Sequence, residues 1–210
     1  MKRLLALLVT LAFALPAQAG DMATPDGLIS TTVQAVLTVV KRDKSILTDQ
    51  PRLLALVDDR ILPHFDFTRM TQLAVGRSWR TATPEQKDAL VREFRAMLVR
   101  TYSKVFSNYP DPQVEVKPAQ MVDDGEATVR TVIRMSDGRT AAVDYEMRKT
   151  DAGWKAFDVT VEGISLVTSY RGSFGDEIKQ SGIDGLIAKL SGMNVDAGQA
   201  GGHSGKGKAN

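Results

Sequence analysis

Residues 127–162 read ATVRTVIRMSDGRTAAVDYEMRKTDAGWKAFDVTVE, and this stretch decides the fold. Ala141, Val143, Tyr145 and Met147 alternate with Ala142, Asp144, Glu146 and Arg148. Successive side chains of a strand point to opposite faces, so this pattern makes one face apolar and the other wet. Ser136-Asp137-Gly138 and Asp151-Ala152-Gly153 break the run with the residues tight turns require. Asp123-Asp124-Gly125 does the same upstream, where Val114 to Lys117 reads as a further short strand. The expectation is an antiparallel four-stranded meander with strands over Val114–Lys117, Ala127–Met135, Thr140–Arg148 and Trp154–Glu162. Val129, Thr131 and Ile133 continue its apolar face, joined by Phe157, Val159 and Val161 on the last strand.

Helices flank this meander on both sides in sequence, which argues α+β and not an alternating α/β chain. Working back, Thr83-Pro84-Glu85-Gln86 combines an N-cap, a proline at the first helical position and a capping-box glutamine. Leu90, Phe94, Met97, Leu98, Thr101, Tyr102, Val105 and Phe106 follow at helical spacing as far as Pro110, a wide apolar stripe. Earlier still, helices are expected over Pro25–Lys41, from Pro51 to Pro63, and over Phe67–Val75 with Gly76 as the stop. After Gly163 the chain turns helical again, with Ile178, Ile183, Leu186, Ile187 and Leu190 on one stripe.

The ends are of different character. Lys2 and Arg3, the apolar run Leu4 to Leu15, and Ala17-Gln18-Ala19 form a secretory signal peptide over residues 1–19. The run is shorter than the roughly 20 residues a spanning helix needs. The domain is expected over 20–192, and the Gly-rich residues 193–210 as a disordered tail. Of 27 basic residues, Lys2 and Arg3 leave with the leader, so 25 remain against 25 acidic ones. A formally neutral chain with no basic stripe implies no nucleic-acid partner.

Chemistry is sparse. The chain has no cysteine and two histidines, so a disulfide framework, a thiolate nucleophile and a histidine pair are excluded. His64 lies between Pro63 and Phe65 as a boundary residue, and His203 falls in the tail. Gly163-Ile164-Ser165 starts like a nucleophile elbow, but Val167 stands where its last glycine belongs, so Ser165 reads as a turn residue. Asp58-Asp59 and Asp123-Asp124 read as solvated pairs. No catalytic residue, metal ligand or cofactor is expected.

Two blocks of residues together resemble the MlaC, or toluene-tolerance auxiliary, family of the outer-membrane lipid-asymmetry transport system. The first is Leu62-Pro63-x-Phe65-Asp66-Phe67-x-x-Met70, Val75-Gly76-Arg77-x-Trp79-Arg80, Ala82-Thr83-Pro84-Glu85-Gln86 and Phe94 to Tyr102. The second is Gly153-Trp154-Lys155, Asp158-Val159, Glu162-Gly163-Ile164-Ser165-Leu166-Val167, Tyr170-Arg171 and Phe174. Val75 departs from the usual leucine, and Phe157 from the usual tyrosine.

The resemblance implies a periplasmic phospholipid shuttle, not an enzyme, with a curved NTF2-like sheet and helices enclosing an apolar pocket. Phospholipid is then the cargo, and an inner-membrane ABC transporter complex and an outer-membrane lipoprotein-porin complex are the implied partners of a monomer. A hopanoid cargo, or a scaffold that binds no ligand, are the other readings. An aromatic stripe alone reads as core; the resemblance makes it a lipid wall. The helical side of that wall is Phe94, Met97, Leu98, Tyr102 and Phe106. The sheet side is Val129, Ile133, Val143, Tyr145, Val159 and Val161, and Leu166, Val167 and Tyr170 complete it. Each methylene exposed to water costs about 0.8 kcal/mol, so a diacyl lipid with roughly 30 of them needs about 24 kcal/mol returned by enclosure. That requires a cavity near or above the upper end of the usual range of about 300–1,000 Å³. Trp79, Trp154 and Asp158 read as structural, with Asp158 capping a loop. Arg171 is expected to pair with Glu162 or Asp158, a lipid phosphate being its other reading, and Arg69, Arg77 and Arg80 are candidates for docking a partner.

Overall fold

The computed structural model describes residues 22–108 and 111–202, with side chains placed for 22–103 and 111–194. Residues 1–19, expected to be a signal peptide, and the Gly-rich residues 203–210 lie outside the described residues.

Local chemistry sets the helix ends. Helix α1 spans Pro25–Arg42, its N-cap Thr24 accepting the Gly27 N–H, with Asp26 in the first turn and Lys41 and Arg42 in the last to suit the helix dipole. Helix α2, Gln50–Arg60, is capped by Asp49. Helix α3, Phe67–Val75, matches the expected span; Asp66 caps it by accepting the Arg69 N–H at 2.9 Å. Gly76 ends it at φ 67°, a backbone state that strains any residue with a Cβ. A 3₁₀ turn, Gly76–Arg80, then leads to α4, Pro84–Asn108. The capping box closes from both sides, the Thr83 N–H donating to Gln86 Oε1 at 3.1 Å and the Gln86 N–H to Thr83 Oγ1 at 3.2 Å.

The strands are β1 Gln113–Val116, β2 Gln120–Met121, β3 Glu126–Arg134, β4 Thr140–Thr150, β5 Gly153–Val161 and β6 Ile164–Ser165. They form one antiparallel sheet in the order β1-β3-β4-β5-β6, with β2 paired beside β3. This corrects the four-stranded expectation to six. Two-residue strands such as β2 and β6 are too short to show a period of two, which is why sequence alternation passed over them. Glu162 (φ 50°) and Gly163 (φ 79°) make the tight turn into β6. Val129, Tyr145 and Val159 lie side by side, as do Val143 and Val161, on one inner face. Phe157 is the extra residue of a bulge, since Glu146 pairs with Asp158 and Met147 with Ala156.

Helix α5, Leu166–Gly202, is broken at Gly182 (φ 72°, ψ −178°). It continues past the boundary at 192 read from composition, and Asn194 is buried, its amide donating to the Glu93 carbonyl at 3.1 Å.

Three apolar clusters result. One joins α3, α4 and both halves of α5 through Met70, Ala74, Leu90, Phe94, Phe174, Leu186 and Leu190. A second lays Leu28 and Ile29 of α1 on Ala127, Val129, Met147, Trp154 and Ala156 of the sheet. A third joins α1 to α2 through Val36, Val40, Leu53 and Leu56. Phe65 packs against both the first and the second, and the Asp66 N–H donates to the Ala156 carbonyl at 2.8 Å, so this segment is the seam between helices and sheet.

Candidate functional site

The wall residues named from sequence fall into three places. Phe94, Met97, Leu98 and Val167 are buried together in the helical cluster, with Tyr102 and Tyr170 packed against it. The ring of Phe94 meets Tyr170 at 5.4 Å and Phe174 at 5.2 Å, both edge to face. Burial, and then a hydrogen bond with Tyr102, push the Tyr170 hydroxyl above the usual tyrosine range. Val129 and Tyr145 belong to the second cluster, under α1. Burial likewise pushes the Tyr145 hydroxyl up, against the opposing effect of its bond with Thr131.

The remaining sheet residues occupy the other end of the same face. Val143 and Val159 are buried but belong to none of the three clusters; Ile133 and Val161 are half-buried, as is Leu166 at the start of α5. Ile164, paired with Val161 on β6, is 64 % exposed. The side chain of Phe106 lies outside the described residues.

The stripe of α4 was expected to face the sheet. In the structure its part from Leu90 to Leu98 packs on α5 and α3, because α5 supplies Phe174, Leu186 and Leu190 as a complementary stripe. The opposite face of α4 lines a cleft of about 800 Å³, where Val91, Ala96 and Val99 meet Leu54 of α2 and Leu62. Arg95 crosses this cleft to Asp58 at 2.6 Å and lies over the Phe67 ring at 5.6 Å. None of the wall residues named from sequence lines it. Val91 and Val99, eight residues apart on one helix face, were the signal available for it.

Several polar residues have structural duties. Ser165 Oγ accepts the Thr168 N–H at 3.0 Å, so the turn residue is the N-cap of α5. It donates in turn to Asp158 Oδ2, while Asp158 Oδ1 accepts the Val167 N–H at 3.1 Å, and Asp158 caps the loop as expected. Glu162 is held by the Ala142 N–H. Both proposed partners of Arg171 are therefore occupied, and the expected internal ion pair is replaced by an Arg171 that turns toward Gly76. His64 is half-buried, and burial first, then the Lys155 charge, lower its pKa from the ordinary 6.5. Among the described residues no helix is long and apolar enough to cross a membrane, and no group of three His, Cys, Asp or Glu could hold a metal ion.

Comparison with known proteins extends this picture. The MlaC protein family matches residues 30–192. The toluene tolerance protein Ttg2D of Pseudomonas putida is 27 % identical over 180 residues, 85 % of this chain and 83 % of that one. The intermembrane phospholipid transport system binding protein MlaC of Haemophilus influenzae is 21 % identical over 172 residues, 80 % of each chain. A solved structure of the phospholipid-binding protein from Ralstonia solanacearum, in complex with a phospholipid, superposes with a TM-score of 0.77 at 34 % identity, covering 84 % of this chain and 99 % of that one. With the family matched across most of its length, the chain belongs to the MlaC protein family.

Proposed function

We propose that the chain is a soluble periplasmic phospholipid carrier that exchanges lipid with an inner-membrane ABC transporter complex and an outer-membrane lipoprotein-porin complex, as a monomer. The observation that carries the reading is the phospholipid bound to the Ralstonia protein, whose fold and 34 % of whose aligned residues this chain shares. The acyl chains would lie on the far end of the sheet, which we take to be curved and NTF2-like in shape, against Ile133, Val143, Val159 and Val161. Tyr145, Leu166, Val167 and Tyr170 would close the pocket at its base.

The apolar row supports this placement. It continues beyond the part covered by α1 to half-buried Ile133 and Val161 and exposed Ile164, and such uncovered apolar area is unfavourable by about 25 cal/mol per Å² unless a ligand occupies it. The Phe94, Met97 and Leu98 end of the wall then acts as backing, with Tyr102 nearer the cargo. No bond is made or broken in such a role, and the work is apolar enclosure.

Native mass spectrometry of protein recovered from a bacterial periplasm tests the proposal. A stoichiometric adduct that yields a diacyl phospholipid on solvent extraction is expected. A fully folded protein at its bare mass, or an adduct that extracts as a polycyclic lipid, overturns it.

A further inference from the structure

A second feature lies where α3 gives way to the 3₁₀ turn. A basin of about 550 Å³ is lined there by Arg69 and Gln72 of α3, Arg77, Trp79 and Arg80 of the turn, and Arg171 of α5. No carboxylate lines it. Among the described residues none of these four guanidiniums forms an ion pair, whereas Arg52, Arg60, Arg95 and Arg148 each meet a carboxylate. The carboxylates near in sequence are spent elsewhere: Asp66 caps α3, Asp158 caps α5 and Glu162 holds β4.

The remaining polar groups point the same way. Gln72 Oε1 accepts from Arg69 Nη1 at 3.2 Å, which leaves the Gln72 amide as another donor. Arg69 is steadied over the Phe157 ring at 5.9 Å. Gly76 sets the floor: a Cβ built there would stand 3.6 Å from Arg171 Nε, so the guanidinium lies against the turn's backbone. A shallow wall that sets donors beside Leu73 and Trp79 and holds no carboxylate, in a chain otherwise balanced in charge, suits an anion. Guanidinium forks match phosphate oxygens two at a time, and a phosphate can engage several forks at once. The basin is small and concave, while an acidic protein surface needs about 800 Å² of matching contact.

We propose that this basin is a phosphate-binding site. One source is the headgroup of the carried lipid, which rests on the carrier reading above; the other is a free phosphate or phosphate ester. Trp79 in the wall reports occupancy, and the sequence has two tryptophans, so Trp154→Phe leaves it as the one fluorophore of its kind.

The Trp154→Phe protein, stripped of lipid by solvent or detergent exchange, is titrated with inorganic phosphate, glycerol 3-phosphate and dihexanoyl phosphatidylglycerol at constant ionic strength in chloride. Fluorescence and calorimetry are read together, so a silent fluorophore does not hide binding. Saturable binding is expected, weakened about tenfold by Arg77→Gln and again by Arg171→Gln. Arg130→Gln, on the exposed side of β3, leaves it unchanged. Short-chain lipid binding tighter than inorganic phosphate, with the same arginine dependence, assigns the headgroup; equal affinities assign free phosphate.

No heat or fluorescence change beyond the chloride control overturns the site. Lipid transfer lost in Arg77→Glu with no phosphate binding by the parent also overturns it, in favour of an acidic protein surface. The adduct measurement separates the two proposals: a parent that carries lipid as purified but gives no phosphate response once stripped of it sinks this one alone, and a lipid-free parent with a response sinks the carrier alone.

Discussion

The helical cluster and the inner face of the sheet are both broad apolar surfaces, yet they are completed differently. Leu90 and Phe94 of α4 have no exposed surface, and Leu186 and Leu190 of α5 retain 1 %. Along the sheet the burial is graded. Val129 and Met147 are fully enclosed beneath α1, Ile133 and Val161 are half-buried, and Ile164 is open. The helical cluster has a fully enclosed centre, with Leu73, Ile183 and Ile187 partly buried at its edge, whereas among the described residues the sheet's apolar row runs out to an open end. A closed core maximises stability, and an incompletely covered one keeps apolar area for something that comes and goes.

Phe94→Ala cuts into the closed side. It removes a ring with two aromatic neighbours and no route for water, so the unfolding free energy should fall by about 3–5 kcal/mol in a denaturant melt. A loss under about 1 kcal/mol would mean the helical cluster is loosely packed and the contrast with the sheet is unfounded. Val161→Ser acts on the open side. Stability should change by at most about 1 kcal/mol, since the residue is already half-exposed, while the lipid extracted per protein falls severalfold. A stability loss as large as that of Phe94→Ala, with lipid retained, would make this end of the sheet ordinary core.

The smallest effect belongs to the seam. His64 stands beside Phe65, which packs against both clusters, and its folded pKa is depressed. A histidine harder to protonate when folded leaves the unfolded chain binding more protons, so stability falls as pH drops through the ordinary value of 6.5. Urea melts between pH 7 and 5 should show this fall, and His64→Gln should flatten it. An unchanged slope in the variant would move the titration to other groups.

Local signals were legible where one residue's chemistry sufficed. Thr83 and Gln86 marked the start of α4, Gly76 marked the end of α3, and Gly-containing turns separated the long strands. Partnership was not legible. The stripe through Phe94 reads identically whether a sheet or a helix faces it, and Gly182 interrupts the periodicity of its true partner, α5. The arginine basin was split across the sequence: Arg69, Arg77 and Arg80 were visible as a basic group, but Arg171 joins them only because Asp158 and Glu162 are engaged by backbone amides. The wall residues divide for the same reason, since an apolar face shows its direction in sequence and not what lies opposite.

The pairing of α4 with α5 also sets an order of assembly. Gln86 donates to Asp184 at 2.9 Å across 98 residues of chain, with the whole meander between them. Each long hairpin closes over a few residues, so by loop-closure entropy alone the helix pair begins about 3 kcal/mol behind. The sheet can therefore form beneath α1 while the α4 stripe still lacks its partner, and the C-terminal helix arrives last. Chain that has not yet released residues 166–190 is, on this account, a sheet whose helical core is half built: the α4 stripe stays exposed for as long as synthesis takes to finish.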